Sequence, residues 1–404
     1  MTLPAILGGP PAFPDRLRFA RPLTPPLDVI VERVRPSYEA GTLTNGPLLR
    51  ELEETLAERL EVAHVVGVSS CTTGLMLTLK AIGPIDKVVM PSFTFSATAH
   101  AATWNGCTPV FAECDPWTLQ VDPHDAEARV QAHGAGAVIA THVFGAPAPI
   151  QALTEMAARR RVPLVFDAAH GLGTKYGGRP VGGFGVAEVF SMSPTKLVVA
   201  GEGGIVATND ANLAETVRRG RDYGDPGDYD TLFAGLNARM SEFHAAMALV
   251  SLEGLDDHVA ARRAMAARYA EGLVDVPGVR GVAVAATDVA NFKDYTLMFD
   301  EAFGLDRDAV GIALAAEGID TRCYFSPPVH RHQAYAHLPQ VDLPVTDSAA
   351  GSVLSLPMFG DLQASDVDAV VEALLAIHAN AEAIAARIGA DRPQANLPSA
   401  KRAT

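Results

Sequence analysis

Apolar residues in the first half of the chain fall into short, unbroken runs separated by helical patterns. Runs without polar alternation are typical of strands covered on both faces of a sheet. Their alternation with helices predicts an α/β fold in which a mostly parallel, seven-stranded sheet lies between helical layers. The seven predicted strands are Val65–Val68, Lys87–Met90, Pro109–Ala112, Ala137–Thr141, Pro163–Phe166, Glu188–Ser191 and Gly204–Thr208.

Helical periodicity precedes and follows this region. Within Leu48–Glu61, leucines recur at the three- and four-residue spacing of an amphipathic helix. After Asn237 the pattern is helical through about residue 273. Shorter predicted strands (Gly281–Ala285 and Tyr295–Phe299) and two further helices, one near Arg307–Glu317 and one that begins at Ser365, then indicate a smaller α+β domain.

These patterns divide the chain into four parts. Seven of the first 26 residues are proline, so residues 1–26 are predicted to form an extended arm. Residues 27–255 form the large domain and residues 256–392 the small C-terminal domain. The small and polar tail, residues 393–404, is predicted to be disordered.

Composition narrows the class of protein. At 404 residues the chain can bury a large core and form two domains. The formal net charge of −15 argues against nucleic acid or an anionic membrane surface as the main partner. The four cysteines show no CxxC spacing and no paired framework, which is typical of reduced thiols in the cytoplasm. We see no secretion signal and no apolar stretch of bilayer-spanning length, and we predict no metal site.

A lysine and an acid are the most informative residues. Lys196 ends the segment that starts at Ser191, is followed by the glycine-rich Gly201–Gly204, and lies downstream of Asp167 at the end of a predicted strand. Pyridoxal phosphate chemistry needs both groups: the lysine holds the cofactor as a Schiff base, and the acid keeps the pyridine nitrogen protonated. Either residue alone is better explained as a surface lysine or a strand cap, but the two together favour the cofactor.

Two further segments fit the same cofactor. The turn Ser69–Leu75 follows a predicted strand and opens a helix, where free amides and small hydroxyl groups suit a phosphate monoester. An ordinary helix cap is the simpler alternative for that turn. Within Pro91–Thr98, an aromatic residue can stack on the pyridine ring, with Phe95 as the candidate and Phe93 as the expected core residue.

These segments resemble the DegT/DnrJ/EryC1/StrS family, the sugar aminotransferases of fold type I. The resemblance covers nearly the whole chain in family order. The matching segments are Gly41–Pro47, Ser69–Leu75, Pro91–Thr98, Asp167–His170, Ser191–Lys196, Gly201–Gly204, Gly235–Glu242, Gly318–Arg322, Pro327–His330 and Leu354–Met358.

The resemblance implies how the cofactor ring is held. Lys196 would bind the cofactor and then shuttle the proton between the substrate carbon and the cofactor. Asp167 would pair with the pyridinium nitrogen, and Phe95 would stack on the ring. His170, at a position where many members have glutamine and others histidine, would bond the phenolic oxygen.

The resemblance also implies how the phosphate is held. Thr72 and Thr73 would bind it mainly through backbone amides, and Ser191 through its hydroxyl. Asn237 would reach the phosphate of the neighbouring subunit, so that a twofold homodimer shares its active sites. From the residues alone, Asn237 would be a turn residue ahead of a helix.

Two positions depart from the family pattern and two are candidates for the acceptor site. Cys71 replaces the usual glycine of the phosphate turn, which would be strained if that position needed a positive φ. Ser193 stands where many members have histidine, a change that can alter substrate fit. Arg322 can clamp a diphosphate, and His330 lies nearby in sequence; a surface arginine and a loop histidine are equally good explanations.

The resemblance implies transfer of an amino group from glutamate or glutamine to a keto-sugar, usually nucleotide-linked, in amino-sugar or antibiotic biosynthesis. A cyclitol of the inosose type is the neighbouring acceptor class. A dehydratase of the same fold would carry histidine in place of Lys196. Decarboxylation or aldol cleavage stays open from these motifs, and a non-catalytic regulator with this fold is the non-enzyme alternative.

Overall fold

The computed structural model describes residues 3–391, so the predicted disordered tail lies outside the described residues. Helix α1 (Leu27–Glu39) follows the N-terminal arm, and helix α2 (Pro47–Leu60) follows it. A proline begins α2, where its missing amide is not needed, and Glu61 ends it in the left-handed conformation with φ 55°. The leucines at the predicted spacing are at most 3% exposed, because this face of α2 packs on the large-domain core.

The large domain contains nine strands. Seven of them form one sheet in the order β1-β9-β8-β5-β4-β2-β3, with β9 antiparallel to both neighbours and every other pair parallel. The predicted α/β class and mostly parallel seven-stranded sheet are therefore confirmed. The strands are β1 (His64–Val68), β2 (Lys87–Pro91), β3 (Thr108–Ala112), β4 (Ala137–Thr141), β5 (Leu164–Asp167), the short hairpin β6 (Lys175–Tyr176) and β7 (Arg179–Pro180), β8 (Ala187–Ser191) and β9 (Gly204–Thr208).

Helices cover both faces of this sheet. In β2, Val88 and Met90 enter one core and Val89 enters the core on the opposite face, and all three are fully buried. This explains why the strands read as unbroken apolar runs. The helices of this part are α3 (Cys71–Ile82), α4 (Ser96–Trp104), α5 (Pro123–His133), α6 (Ile150–Arg160), α7 (Ala211–Gly220), α8 (Glu242–Glu253) and α9 (Leu255–Leu273).

The carboxyl ends of the parallel strands define one edge of the sheet. Strands β1, β2, β5 and β8 run in the same direction and end there. The chain leaves β1 into α3 and β2 into α4, while β5 and β8 end at Asp167 and Ser191. Ligands of doubly wound sheets bind at this edge.

The C-terminal residues build a second, smaller core. Its three-stranded antiparallel sheet has the order β10-β11-β12. The elements are β10 (Val279–Gly281), β11 (Tyr295–Phe299), α10 (Arg307–Ala316), α11 (Pro344–Ser352), β12 (Val353–Leu356), α12 (Ala364–Ala379) and α13 (Ala381–Asp391). The end of α9 and three of the four C-terminal helices, all except α11, complete this core. Within residues 3–391, no single helix is both long and apolar enough to cross a bilayer; only α12 and α13 together, bent by 79°, reach that length and composition.

Four sequence predictions differ from the structure. Within the predicted extended arm, Ala5–Leu7 form a short 3-10 helix. The helix predicted to begin at Ser365 begins at Ala364, with Gln363 as its N-cap. The helical pattern after Asn237 is broken at Gly254, which ends α8 and precedes α9. The predicted strand Gly281–Ala285 is displaced to Val279–Gly281, because the chain then leaves β11 and the Ala283 amide donates to the carbonyl of Trp117 at 2.9 Å.

Helix α9 joins the two cores. It contributes Leu255 and Val259 to the large-domain core and Tyr269 and Leu273 to the C-terminal core. The predicted domain boundary near residue 255 falls at the first residue of this helix. One rigid element therefore connects the two parts of the molecule.

Candidate active site

A cavity of about 330 Å³ lies at the carboxyl edge of the sheet. We call it the site cavity. Its volume is within the range of small-molecule sites. Six of the eight residues predicted to hold the cofactor line it: Thr72, Phe95, Asp167, His170, Ser191 and Lys196. A groove of about 610 Å³ in the C-terminal part offers no comparable set of reactive groups, so its larger size does not make it the site.

Lys196 lies in a tight turn after β8. Its amide donates to the Ser193 carbonyl at 3.0 Å, and the following residues, Leu197 to Val199, are at most 5% exposed. The side chain opens into the site cavity and is otherwise enclosed by protein. Burial, and then the positive charge of Lys293, lower the pKa of Lys196 to about 8. The turn therefore fixes an amine that is partly neutral near physiological pH.

Asp167 receives hydrogen bonds from three elements. The Thr98 hydroxyl donates to its Oδ2 at 2.6 Å, the Ala169 amide donates to its Oδ1 at 3.1 Å, and the Cys71 thiol lies 3.7 Å from Oδ1. All three partners are donors, so they orient the carboxylate at the cavity wall. An oriented carboxylate is the partner that a protonated pyridine nitrogen requires.

Cys71 fits the position where the family usually has glycine. It is the first residue of α3 and does not adopt a positive φ, so the strain considered from the sequence is absent. Burial and the charge of Asp167 raise the pKa of the Cys71 thiol well above its ordinary value. The group therefore stays protonated and acts as a donor, with its second contact at 3.4 Å to the Val189 carbonyl.

The two phenylalanines after β2 separate as the sequence predicts. Phe93 is fully buried and packs edge-on against Phe144 and Phe325. Phe95 caps α4 and is 59% exposed, with its ring on the cavity wall. A large aromatic side chain exposed inside a cavity offers a flat face to a ring-shaped ligand.

His170 carries an uncommitted ring nitrogen. Among residues 3–391, its buried Nδ1 has no hydrogen-bond partner, and the nearest acid atom, Oδ2 of Asp294, is 4.0 Å away. Burial, with the charges of Lys196 and Lys293, lowers the pKa of His170 well below its ordinary value. The ring is therefore neutral, with one nitrogen able to donate and one able to accept.

The phosphate side of the cavity lies at the N-terminus of α3. Ser70 caps this helix, and its hydroxyl accepts from the Thr73 amide at 3.1 Å. This bond directs Thr73 into the cap and leaves Thr72 as the threonine that lines the cavity. Ser191 faces them from the end of β8, so hydroxyl groups and the helix N-terminus together suit a phosphate.

Three other predicted residues do not line the site cavity: Asn237, Arg322 and His330. Asn237 is exposed and forms an isolated bridge with Asp222. Arg322 lines an adjoining cavity of about 720 Å³, which we call the outer cavity. The outer cavity is lined by Asp15, Arg16, Arg18, Phe19, Ala20, Thr195, Lys293, Asp320, Arg322 and Tyr324.

His330 is committed elsewhere. Its Nδ1 lies 2.6 Å from the Ser92 hydroxyl, and its Nε2 lies 3.3 Å from Oδ1 of Asp347. Serine, histidine and aspartate in contact can form a hydrolytic triad. Here the Ser92 side chain is fully buried, so the arrangement joins two segments and does not face a substrate.

Sequence reasoning missed a buried ion pair at the site. Lys293 donates from Nζ to Oδ1 of Asp294 at 2.7 Å, and their side chains are 5% and 2% exposed. Lys293 lines both the site cavity and the outer cavity. Two adjacent opposite charges directly before the apolar strand β11 are the signal that points to such a pair.

The arrangement fits pyridoxal phosphate. A partly neutral lysine, an oriented acid, an exposed aromatic face and an unpaired histidine nitrogen meet in one cavity with a turn suited to phosphate. Each group has a complementary atom on that cofactor: the aldehyde, the pyridine nitrogen, the ring face, the phenolic oxygen and the phosphate.

Comparisons with known proteins agree with this geometry. A profile of the DegT/DnrJ/EryC1/StrS aminotransferase family matches residues 28–375. The chain is 34% identical to GDP-perosamine synthase of Caulobacter vibrioides, over 81% of this chain and 90% of that protein. It is 36% identical to UDP-N-acetyl-3-dehydro-alpha-D-glucosamine 3-aminotransferase of Acidithiobacillus ferrooxidans, over 79% and 85%.

Solved structures are similar over nearly the whole chain. DesI, crystallised in the presence of its TDP-sugar product, has a TM-score of 0.90 at 38% identity and covers 95% of this chain and 98% of its own. DesV of S. venezuelae has a TM-score of 0.78 at 32% identity, with coverage of 92% and 100%.

Proposed function

This chain belongs to the DegT/DnrJ/EryC1/StrS aminotransferase family, and we propose that it transfers an amino group from glutamate or glutamine to a nucleotide-linked keto-sugar. It is a pyridoxal-phosphate-dependent enzyme. The observation that best supports this function is that Lys196 lines the same cavity as Asp167 and the exposed ring of Phe95. A dehydratase would lack this lysine, and a non-catalytic regulator would have no need to keep these three groups together.

Each residue of the site has a separate task. When bound, pyridoxal phosphate supplies an electron sink for the substrate carbon. Lys196 would hold the cofactor through its amine and would move a proton to and from the substrate carbon; a pKa of about 8 gives it the neutral amine that this proton transfer needs. Asp167 keeps a proton on the pyridine nitrogen. Phe95 restricts the tilt of the ring, and His170 orients it through the phenolic oxygen.

The relatives support a nucleotide-linked acceptor. The named relatives are a GDP-sugar enzyme, a UDP-sugar enzyme and a protein crystallised with a TDP-sugar. They differ in nucleotide and sugar, so the acceptor of this chain is proposed only as a class. Arg322, on the outer cavity, is a candidate for its anionic part. His330 faces Ser92 and Asp347 and is the weaker candidate.

We propose that the enzyme is a homodimer with shared active sites. Asn237 is exposed and does not line the cavity of its own chain, as expected of a side chain that serves the phosphate of a partner subunit. All four cysteines are free, which supports a cytoplasmic location. Amino-sugar formation for a secondary metabolite such as an antibiotic is the pathway we propose.

The deciding experiment separates the two halves of the reaction. The enzyme loaded with pyridoxal phosphate is mixed with glutamate or glutamine, and its absorption spectrum is followed to the pyridoxamine form. Candidate ketones are then added: keto-sugars linked to UDP, GDP or dTDP, and inososes as the cyclitol class. Return of the original spectrum with a nucleotide-linked ketone supports the proposal, and return with an inosose alone would assign a cyclitol aminotransferase.

Lys196→Ala provides the matched control. This variant is expected to bind the cofactor without covalent trapping by borohydride and to show no conversion with glutamate. Steady transamination by Lys196→Ala would refute the role assigned to Lys196.

A further inference from the structure

The outer cavity continues the site cavity toward the N-terminal arm. Thr195, Lys293 and Tyr324 line both cavities, and Thr195 directly precedes Lys196. The two volumes, about 330 and 720 Å³, therefore meet beside the reactive amine. A ligand longer than one sugar ring has room to lie across the junction with one end at Lys196.

The N-terminal arm is fixed where it forms the wall of the outer cavity. Backbone hydrogen bonds of 2.8 and 3.0 Å join Leu17 to residues 318–320 in a strand-like bridge. Leu17 and Phe19 are buried, at 9% and 6% exposed. Since side chains alternate along extended backbone, Arg16 and Arg18 are directed outward, and both line the outer cavity.

Positive charge dominates this wall although the whole chain carries −15. The charged residues that line it are Arg16, Arg18, Lys293 and Arg322, opposed by Asp15 and Asp320. Arg16 pairs with Asp320 at 2.5 Å, and Lys293 pairs with Asp294.

Arg18 and Arg322 remain without an acid. Across residues 3–391, neither has a carboxylate within ion-pair distance. Arg322 is held in place from one side, because its guanidinium lies 5.5 Å from the Phe19 ring and donates to the Thr321 carbonyl at 2.8 Å. The guanidinium is planar, and the donors that Thr321 does not use keep the geometry that binds phosphate through paired hydrogen bonds.

On the basis of the proposed aminotransferase function, we propose that Arg18 and Arg322 bind the diphosphate of the acceptor in the outer cavity, while its keto-sugar reaches Lys196. Two free guanidinium groups match two phosphoryl groups. The α-carboxylate of the amino donor must lie next to the carbon at Lys196, so it does not account for cations in the outer cavity. The N-terminal arm is therefore part of the acceptor site.

The test measures nucleoside diphosphate binding to the holoenzyme. UDP, GDP and dTDP are titrated calorimetrically into the unchanged enzyme, and the tightest of them into Arg18→Ala, Arg322→Ala and Arg21→Ala. Arg21 is the matched control, because it lies on the same arm but pairs with Asp361 at 2.9 Å and does not line the outer cavity. The glutamate half-reaction is recorded in every variant to show that the site cavity is intact.

We expect Arg18→Ala and Arg322→Ala each to raise the dissociation constant about tenfold or more, the usual effect of losing a hydrogen bond to a charged group. Arg21→Ala should bind like the unchanged enzyme. Added salt should weaken binding more in the unchanged enzyme than in either variant.

The outcomes separate this proposal from the one on which it rests. Equal dissociation constants in all four proteins would overturn the arginine site. So would an unchanged enzyme that reacts with glutamate but binds no nucleoside diphosphate, and in both cases the aminotransferase function would stand. Failure of the unchanged enzyme to react with any amino donor would refute the aminotransferase function, and the arginine site with it.

Discussion

The pKa of Lys196, and with it the reactivity of its amine, depends in part on a second lysine, Lys293. No contact with the cofactor is assigned to Lys293. At the ordinary lysine pKa of 10.5, roughly one amine in 3,000 is neutral at pH 7, whereas at a pKa of about 8 the fraction is roughly one in ten. The structure therefore gives Lys196 about 300 times more neutral amine at that pH. Burial contributes most, and the charge of Lys293 is the next cause.

We predict that Lys293→Met raises the pKa of Lys196. Methionine keeps an unbranched apolar side chain but removes the positive charge, and it leaves Asp294 as an unpaired negative charge near the amine. Both changes favour the protonated form, so the neutral fraction at pH 7 should fall, by about tenfold for each pKa unit.

The pKa is measured without relying on activity. The folded, cofactor-free protein is trace-labelled with acetic anhydride across a pH series, and mass spectrometry quantifies the peptide that contains Lys196. Lys293→Met/Asp294→Asn removes both charges and should show a smaller rise than Lys293→Met alone. A Lys196 pKa near 10.5 in the unchanged protein, or one that Lys293→Met leaves the same or lowers, would refute this account.

Three further predictions follow from single contacts. Thr98→Val removes the 2.6 Å hydrogen bond to Asp167 and should weaken pyridoxal phosphate binding about tenfold in a visible-absorbance titration, while Thr98→Ser should not. Glu242→Gln replaces a buried carboxylate that accepts from four donors, and urea denaturation should show a loss of about 2–3 kcal/mol. Gly145→Ala places a Cβ 1.8 Å from Oδ1 of Asn291 at a φ of +83°, so we expect a lower melting temperature. An unchanged melting temperature would show that the structure relieves this contact at no cost in stability.

Local signals explain why much of the site could be predicted from the sequence. Asp167 and Lys196 each follow an apolar run, and the carboxyl ends of such strands meet at one edge of a parallel sheet. Phe93 and Phe95 differ in burial because only Phe93 lies in a core cluster, as their places after β2 suggest. These inferences need only the order of the elements and the direction of the strands.

The missed features depend on contacts between distant segments. Thr98 looks like one more small residue of α4 until the fold brings its hydroxyl to Asp167. The Thr73 amide looks available for phosphate, but the Ser70 cap uses it. The break at Gly254 lies in a continuous helical pattern, and the sequence does not show that the helix after it passes from one core to the other.

The ion pair between Lys293 and Asp294 is held beside Lys196 by contacts between the two parts of the chain. Asn291 is fully buried, and its side-chain amide donates to the carbonyl of His170 at 2.6 Å and to that of Leu172 at 2.8 Å. Its Oδ1 accepts from the Lys293 amide at 2.8 Å. One side chain therefore ties the loop before β11 to the loop after β5. Because Lys293 is the second cause, after burial, of the lowered pKa of Lys196, the C-terminal part of the chain contributes to the reactivity of an amine that the large domain carries.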